Sequence, residues 1–148
     1  MVPISATGRP PSWYWLVSGL ALLWMLFGAM AWTVDLMTDE ATVAGMREAQ
    51  RQLYAARPQW LFAVYGLAIL SGLAGALGLV LRKGWAMPAF AVSLAAIVLQ
   101  FGYTFLVMDA IGLLGFVAVP FPLFIFAIGV FLPWFAAQAR KRGWIAHR

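Results

Sequence analysis

A chain of 148 residues in which 64% are hydrophobic and 10% charged is no compact soluble domain. Such domains carry roughly 25% charged residues and at this size expose too much surface to hide so much apolar area, so the solvent for most of these side chains is lipid. The net charge of +5 does not point to nucleic acid, because the basic residues gather in short clusters beside apolar runs, where they act as topology signals and contacts for anionic lipid.

The first apolar stretch covers about Trp13 to Val34, behind a Pro10-Pro11-Ser12 entry in which Ser12 is expected to cap the helix. Arg9, this run and Ala29-Met30-Ala31 loosely resemble a secretory signal with its cleavage site, but the run is too long and too rich in tryptophan for one and reads as a span. Asp35 to Arg57 follows as the one sizeable loop. Val43, Met46 and Leu53 recur there at helical spacing, with Arg47, Glu48, Arg51 and Gln52 on other faces, which predicts a short amphipathic helix on the outer surface. Glu48 and Arg51 are spaced to pair.

The second span runs from about Trp60 to Leu81, with Pro58 placed for its first turn. The third runs from about Trp85 to Met108. The fourth begins at Pro120 and ends near Ala137, since proline inside a helix removes a hydrogen bond and clashes with the preceding turn. Ile111 to Val119 is then an interfacial or re-entrant segment rather than helix, and Pro133 should kink the last turns. Each stretch approaches the roughly 20 residues that span hydrocarbon. Trp13, Trp15, Trp32, Trp60, Trp85, Trp134 and Trp144 fall near the ends of these stretches, where an indole prefers the headgroup region, and only Trp24 is at mid-span.

Orientation follows from Lys and Arg. Arg9, Arg82, Lys83, Arg140, Lys141, Arg142 and Arg148 lie on one side if there are four spans, against Arg47, Arg51 and Arg57 on the other. That bias puts both termini in the cytoplasm. Asp35, Asp39, Glu40, Glu48 and Asp109 fall on the outer side, with Asp35 and Asp109 at a boundary where water can solvate them.

Two constellations lie inside the membrane. Ala68, Ser71, Gly72, Gly75, Ala76 and Gly78 give the second span small-xxx-small spacings, which let helix backbones approach closely, within the monomer or across a homodimer. Ser93, Gln100, Tyr103 and Thr104 form a polar group on the third span, with Ser93, Gln100 and Thr104 on one face. An amide in hydrocarbon is costly unless bonded, so Gln100 is expected to point into the bundle, with Ser71 or Trp24 as partner. Structural glue is the default for this face and the lining of a solute path the alternative.

Several chemistries are excluded by composition. Cysteine is absent, which removes disulfides, thiolate nucleophiles and thiolate metal sites, and with them the four-helix oxidoreductases that pass disulfides to quinones. The single histidine, His147, reads as a solvated tail residue and cannot supply the paired ligands of a membrane haem. With no ionisable residue at mid-span, a proton-coupled exporter of the small four-helix multidrug type is disfavoured. No cofactor, metal or catalytic residue is expected, because acid, base and nucleophile candidates are nearly lacking in the spans.

Arg47-Glu48-Ala49-Gln50-Arg51-Gln52-Leu53-Tyr54, Pro58-Gln59-Trp60, the glycine-rich second span ending Leu81-Arg82-Lys83-Gly84-Trp85-Ala86, and the tail Arg142-Gly143-Trp144 resemble a family of small uncharacterised bacterial membrane proteins. Its members often carry the label "sugar transporter" or are grouped with DoxX-like four-helix proteins. The resemblance covers most of the chain and implies a bacterial inner-membrane protein, with no catalytic motif to carry over.

The expected fold is therefore a single all-α membrane domain over 1–148, an antiparallel four-helix bundle with a short outer helix between its first two spans. The expected function is a non-enzymatic accessory or assembly subunit of a membrane complex, partnered by lipid and by another protein or a second copy. The alternative is a small-solute transporter or channel acting as an oligomer.

Overall fold

The computed structural model describes residues 8–146, apart from the side chain of Ala118. His147 and Arg148, and with them their expected tail and topology roles, lie outside the described residues. Regular structure is helical throughout: α1 (Ser12–Leu36), α2 (Glu40–Ala44), α3 (Glu48–Ala56), α4 (Gln59–Val80), α5 (Ala86–Leu106), α6 (Ala110–Leu114), a 3-10 turn at Phe116–Ala118, and α7 (Pro120–Lys141). Of these, α1, α4, α5 and α7 are long and apolar enough to cross a membrane. At about 1.5 Å per residue each reaches across a hydrocarbon core of about 30 Å.

Several expected boundaries move. Ser12 is the first residue of α1 rather than its cap, since Pro11 holds the cap position in extended conformation and no side chain bonds the first turn. Pro58 likewise stands just ahead of α4. The 35–57 connection is not one helix. Gly45 to Arg47 divide it, so Val43 lies on α2 and Leu53 on α3. Each piece has its own cap: the Asp39 carboxylate accepts from the Thr42 hydroxyl at 2.7 Å and the Thr42 N–H at 2.9 Å, and the Gln50 side chain accepts from the Arg47 N–H at 3.3 Å. Those bonds, led by the Thr42 hydroxyl, hold the Asp39 carboxyl below its ordinary pKa. Arg51 pairs with Glu48 at 2.6 Å, the spacing read from sequence. Residues 111–119, expected to be non-helical, contain most of α6 and the 3-10 turn. Asp109, in left-handed conformation, starts α6 by accepting from the Gly112 N–H at 3.2 Å. Pro133 is accommodated inside α7, which runs on to Lys141 rather than stopping at Ala137.

Packing follows side-chain size. The helix with the small residues, α4, lies against both α1 and α5, and α5 packs in turn on α7. The bundle is unevenly filled. Near the chain ends a continuous core joins Tyr14, Met25, Leu79, Phe90, Leu132, Phe135, Trp144 and Ile145. Further along the helices the packed cluster shrinks to Ala68, Ala96 and Ile97, with Val64, Phe101 and Ile125 against it. Large apolar side chains meanwhile face outward, Phe27 65% exposed and Leu26 50%. An outside this apolar with small residues inside is the arrangement lipid rewards.

Candidate functional site

The end near the chain termini is tied through one arginine. At the close of α4 the Lys83 N–H donates to the Gly78 carbonyl at 2.7 Å while Arg82 takes φ 57°. The end of α7 repeats this closure, with Trp144 donating to the Ala139 carbonyl at 2.8 Å and Gly143 at φ 75°. Such a terminus asks for glycine at the left-handed position, and only the second has it. Arg82 instead spends its side chain on both terminal segments: Nε donates to the Trp144 carbonyl at 2.6 Å and a terminal nitrogen to the Gly8 carbonyl. The Arg82 carbonyl accepts from the Ala146 N–H at 3.0 Å, and the Gly8 N–H reaches the Gly143 carbonyl at 2.8 Å. Tyr14 seals the same end, donating its hydroxyl to the Leu79 carbonyl at 2.5 Å. Trp144, read from sequence as a headgroup anchor, is 8% exposed and packs edge-on to Trp13 and Tyr14.

At the opposite end, Arg57 grips Asp35 through two nitrogens at 2.8 and 3.4 Å, and its guanidinium lies over the Tyr54 and Phe62 rings. Asp35 is thus an ion-pair partner rather than a free, water-solvated carboxylate, and it fixes the end of α1 to the start of α4. Short helices α3 and α6 pack together at this end.

Between the two ends the small-residue stripe meets neighbours on both sides. A Cβ on Gly72 would come 2.6 Å from the Met25 sulfur, one on Gly75 2.7 Å from the Phe90 ring, and one on Gly78 2.7 Å from the Trp85 indole nitrogen. Ala68 and Ala76 are buried. Ser71 departs from the stripe: its hydroxyl returns to the Leu67 carbonyl of its own helix at 2.5 Å and is therefore not the partner expected for Gln100.

The polar residues of α5 separate. Ser93 is buried and donates across to the Ala68 carbonyl at 2.7 Å. Thr104 bonds the Gln100 carbonyl of its own helix at 2.8 Å, and Tyr103 turns edge-on to Trp60 at 5.0 Å. Gln100 remains. It lines a cavity of about 310 Å³ whose walls come from α1, α4, α5 and α7, among them Trp24, Tyr65, Ser93 and Ile125. Among the described residues the Gln100 amide has no hydrogen-bond partner, Trp24 included, although both line the same space.

Beside this cavity a slot of about 590 Å³ separates α1 from α7, walled by Leu20, Leu23, Trp24, Phe27, Phe124 and Phe131 among others. Trp24 and Phe27 border both spaces. Across the slot the helices touch through the edge-on Trp24–Phe124 pair at 5.6 Å. Nothing in the residue pattern marks the slot, because α1 and α7 are remote in the chain and largely apolar where they line it. Gln100 was legible as the odd amide in an apolar run.

No metal-binding group of three or more His, Cys, Asp or Glu occurs among the described residues. The chain matches no family model, no curated protein and no solved structure.

Proposed function

We propose that this chain is a non-enzymatic accessory or assembly subunit of a complex in a bacterial inner membrane. In this reading it crosses as an antiparallel four-helix bundle with both termini in the cytoplasm and α2–α3 outside, in keeping with the resemblance of its sequence to a family of small uncharacterised bacterial membrane proteins. The observation that carries the reading is how the hydroxyls of α4 and α5 are used. Ser93 donates across to the Ala68 carbonyl at 2.7 Å and ties α5 to α4, while Ser71 and Thr104 return to carbonyls of their own helices at 2.5 and 2.8 Å, so all three donors are spent within the protein rather than offered to a passing solute. The walls of the cavity and slot carry no charged side chain and are mostly apolar, whereas a path for water-soluble cargo lines itself with carbonyls, charges or other polar groups that replace hydration. Lipid, and a protein partner or second copy, are then the molecules it meets.

The test is purification from its native membrane in mild detergent, with the mass and composition of the particle determined. A partner subunit at fixed stoichiometry, retained in Gln100→Leu, is the expected result. A particle containing this chain alone, which takes up a small solute in proteoliposomes and loses that uptake in Gln100→Leu, would replace the proposal with the transporter reading.

A further inference from the structure

We infer that the cavity at Gln100 and the slot between α1 and α7 together form a binding site for one uncharged single-chain lipid, an acyl or prenyl chain ending in a hydroxyl or carbonyl. The inference does not depend on the accessory-subunit reading, since a transporter or an enzyme subunit could hold the same ligand.

Location comes first. The cavity is walled by all four long helices and the slot by α1 and α7, so whatever enters does so from the lipid side of the bundle. Polarity fixes the class of head. Gln100 brings two donors and an acceptor into a space otherwise lined mainly by Trp24, Phe27, Ile69, Ile97 and Ile125, and leaving such a group unmet in hydrocarbon is costly. Of the other hydroxyl-bearing residues in the wall, Ser93 is already committed to Ala68, and Tyr65 is, like Gln100, an uncharged polar group suited to a neutral head. With no ionisable carboxylate or amine in the lining, a charged head would find no counter-charge, whereas a hydroxyl or carbonyl can bond the amide.

Shape suits a tail. The slot follows α1 from Val17 to Phe27, about 15 Å at the helical rise, a length along which an extended acyl or prenyl chain can lie. The volumes of cavity and slot, about 310 and 590 Å³, lie in the range of about 300–1,000 Å³ common for small-ligand sites. Trp24 and Phe27, shared by the two spaces, mark where head and tail join.

The experiment uses the full chain in nanodiscs and a hexadecanol bearing a mid-chain diazirine. After irradiation, label should concentrate on slot residues of α1 and α7, saturate with dose, and be displaced by unlabelled hexadecanol or farnesol but not by hexadecane, which has no head. The stronger of the two alcohols distinguishes an acyl from a prenyl tail. Gln100→Leu should weaken saturable labelling roughly threefold, the worth of one intramembrane hydrogen bond. Ala31→Trp, which adds bulk at a cavity-wall position that is otherwise exposed, should reduce it as well, while Val92→Trp, on an exposed face outside both spaces, should not. Label spread without saturation over every lipid-facing helix overturns the site. Saturable labelling that hexadecane displaces and Gln100→Leu leaves unchanged overturns the role of the head. Native slot residues that crosslink to another polypeptide and exclude the alcohol overturn the lipid in favour of a helix.

Discussion

Arg82 illustrates a conflict between a residue's backbone and its side chain. At φ 57° a non-glycine residue carries a conformational penalty of about 1–2 kcal/mol, and the equivalent position at the end of α7 is Gly143. Opposing this penalty are two charge-assisted bonds, to the Trp144 and Gly8 carbonyls, worth about 1.5–3 kcal/mol each. Arg82→Gly should relax the turn yet lower stability by on the order of 2 kcal/mol. Arg82→Lys, which keeps the strain and has no fork to reach both carbonyls, should fare no better. Thermal unfolding in mild detergent measures both. A gain in stability for Arg82→Gly would mean that the side-chain bonds contribute little, and that Arg82 stands there for its charge alone.

Helix contacts sort the glycines of α4 in a way their spacing could not. Gly72 and Gly75 are equivalent as small residues, but Gly72 faces chiefly the flexible Met25 side chain on α1, with the Ser93 hydroxyl of α5 at 3.1 Å from a Cβ placed there, whereas Gly75 faces the rigid Phe90 ring on α5. A methionine chain can swing aside, and an enclosed phenyl ring cannot. Gly75→Ala should therefore cost on the order of 1–3 kcal/mol. Gly72→Ala should stay within about 1 kcal/mol of neutral, with the alanine's helix propensity offsetting the shift of Met25. Equal losses in a detergent unfolding assay would show that both contacts are equally stiff. The same distinction explains what was legible in the sequence. Span positions followed from hydropathy, because twenty-odd apolar residues have few other solutions. The short elements did not. Asp39 initiates α2 and Asp109 initiates α6 through local capping bonds, which hydrophobic periodicity does not register. Gln100 stood out as a lone amide, but its surroundings depend on the space left where α1, α4, α5 and α7 meet, a property of four helices at once. The partners expected for it failed for that reason: Ser71 satisfies itself within one turn, and Trp24 faces the same cavity from across it.

Over the whole molecule, the charges and the contacts give the same sidedness. Gly8, Arg82 and Trp144 meet at one end, where Arg9, Lys83, Arg140, Lys141 and Arg142 also lie close in sequence. Asp35, Arg57 and the paired helices α3 and α6 occupy the other. An even number of crossings brings the two chain ends and the α4–α5 turn to one face. The proposed orientation, with that face cytoplasmic, rests on the positive-inside rule, under which Lys and Arg in short loops resist translocation whereas acids contribute little. A reporter fused after residue 148 should therefore be active on the cytoplasmic side, and one inserted at Gly45, between α2 and α3, on the opposite side. The insertion site is exposed and lies outside every long helix, so it should leave the bundle intact. Moving the bias should move the protein: Lys83→Gln with Lys141→Gln and Arg142→Gln, all exposed positions, removes three cations without touching Arg82, and should produce a mixed population of orientations. Reporters at residue 148 and at Gly45 that report the same side would exclude three crossings between them by α4, α5 and α7, and with α1 also crossing would exclude the apposition of Gly8 and Trp144 around Arg82 in the membrane.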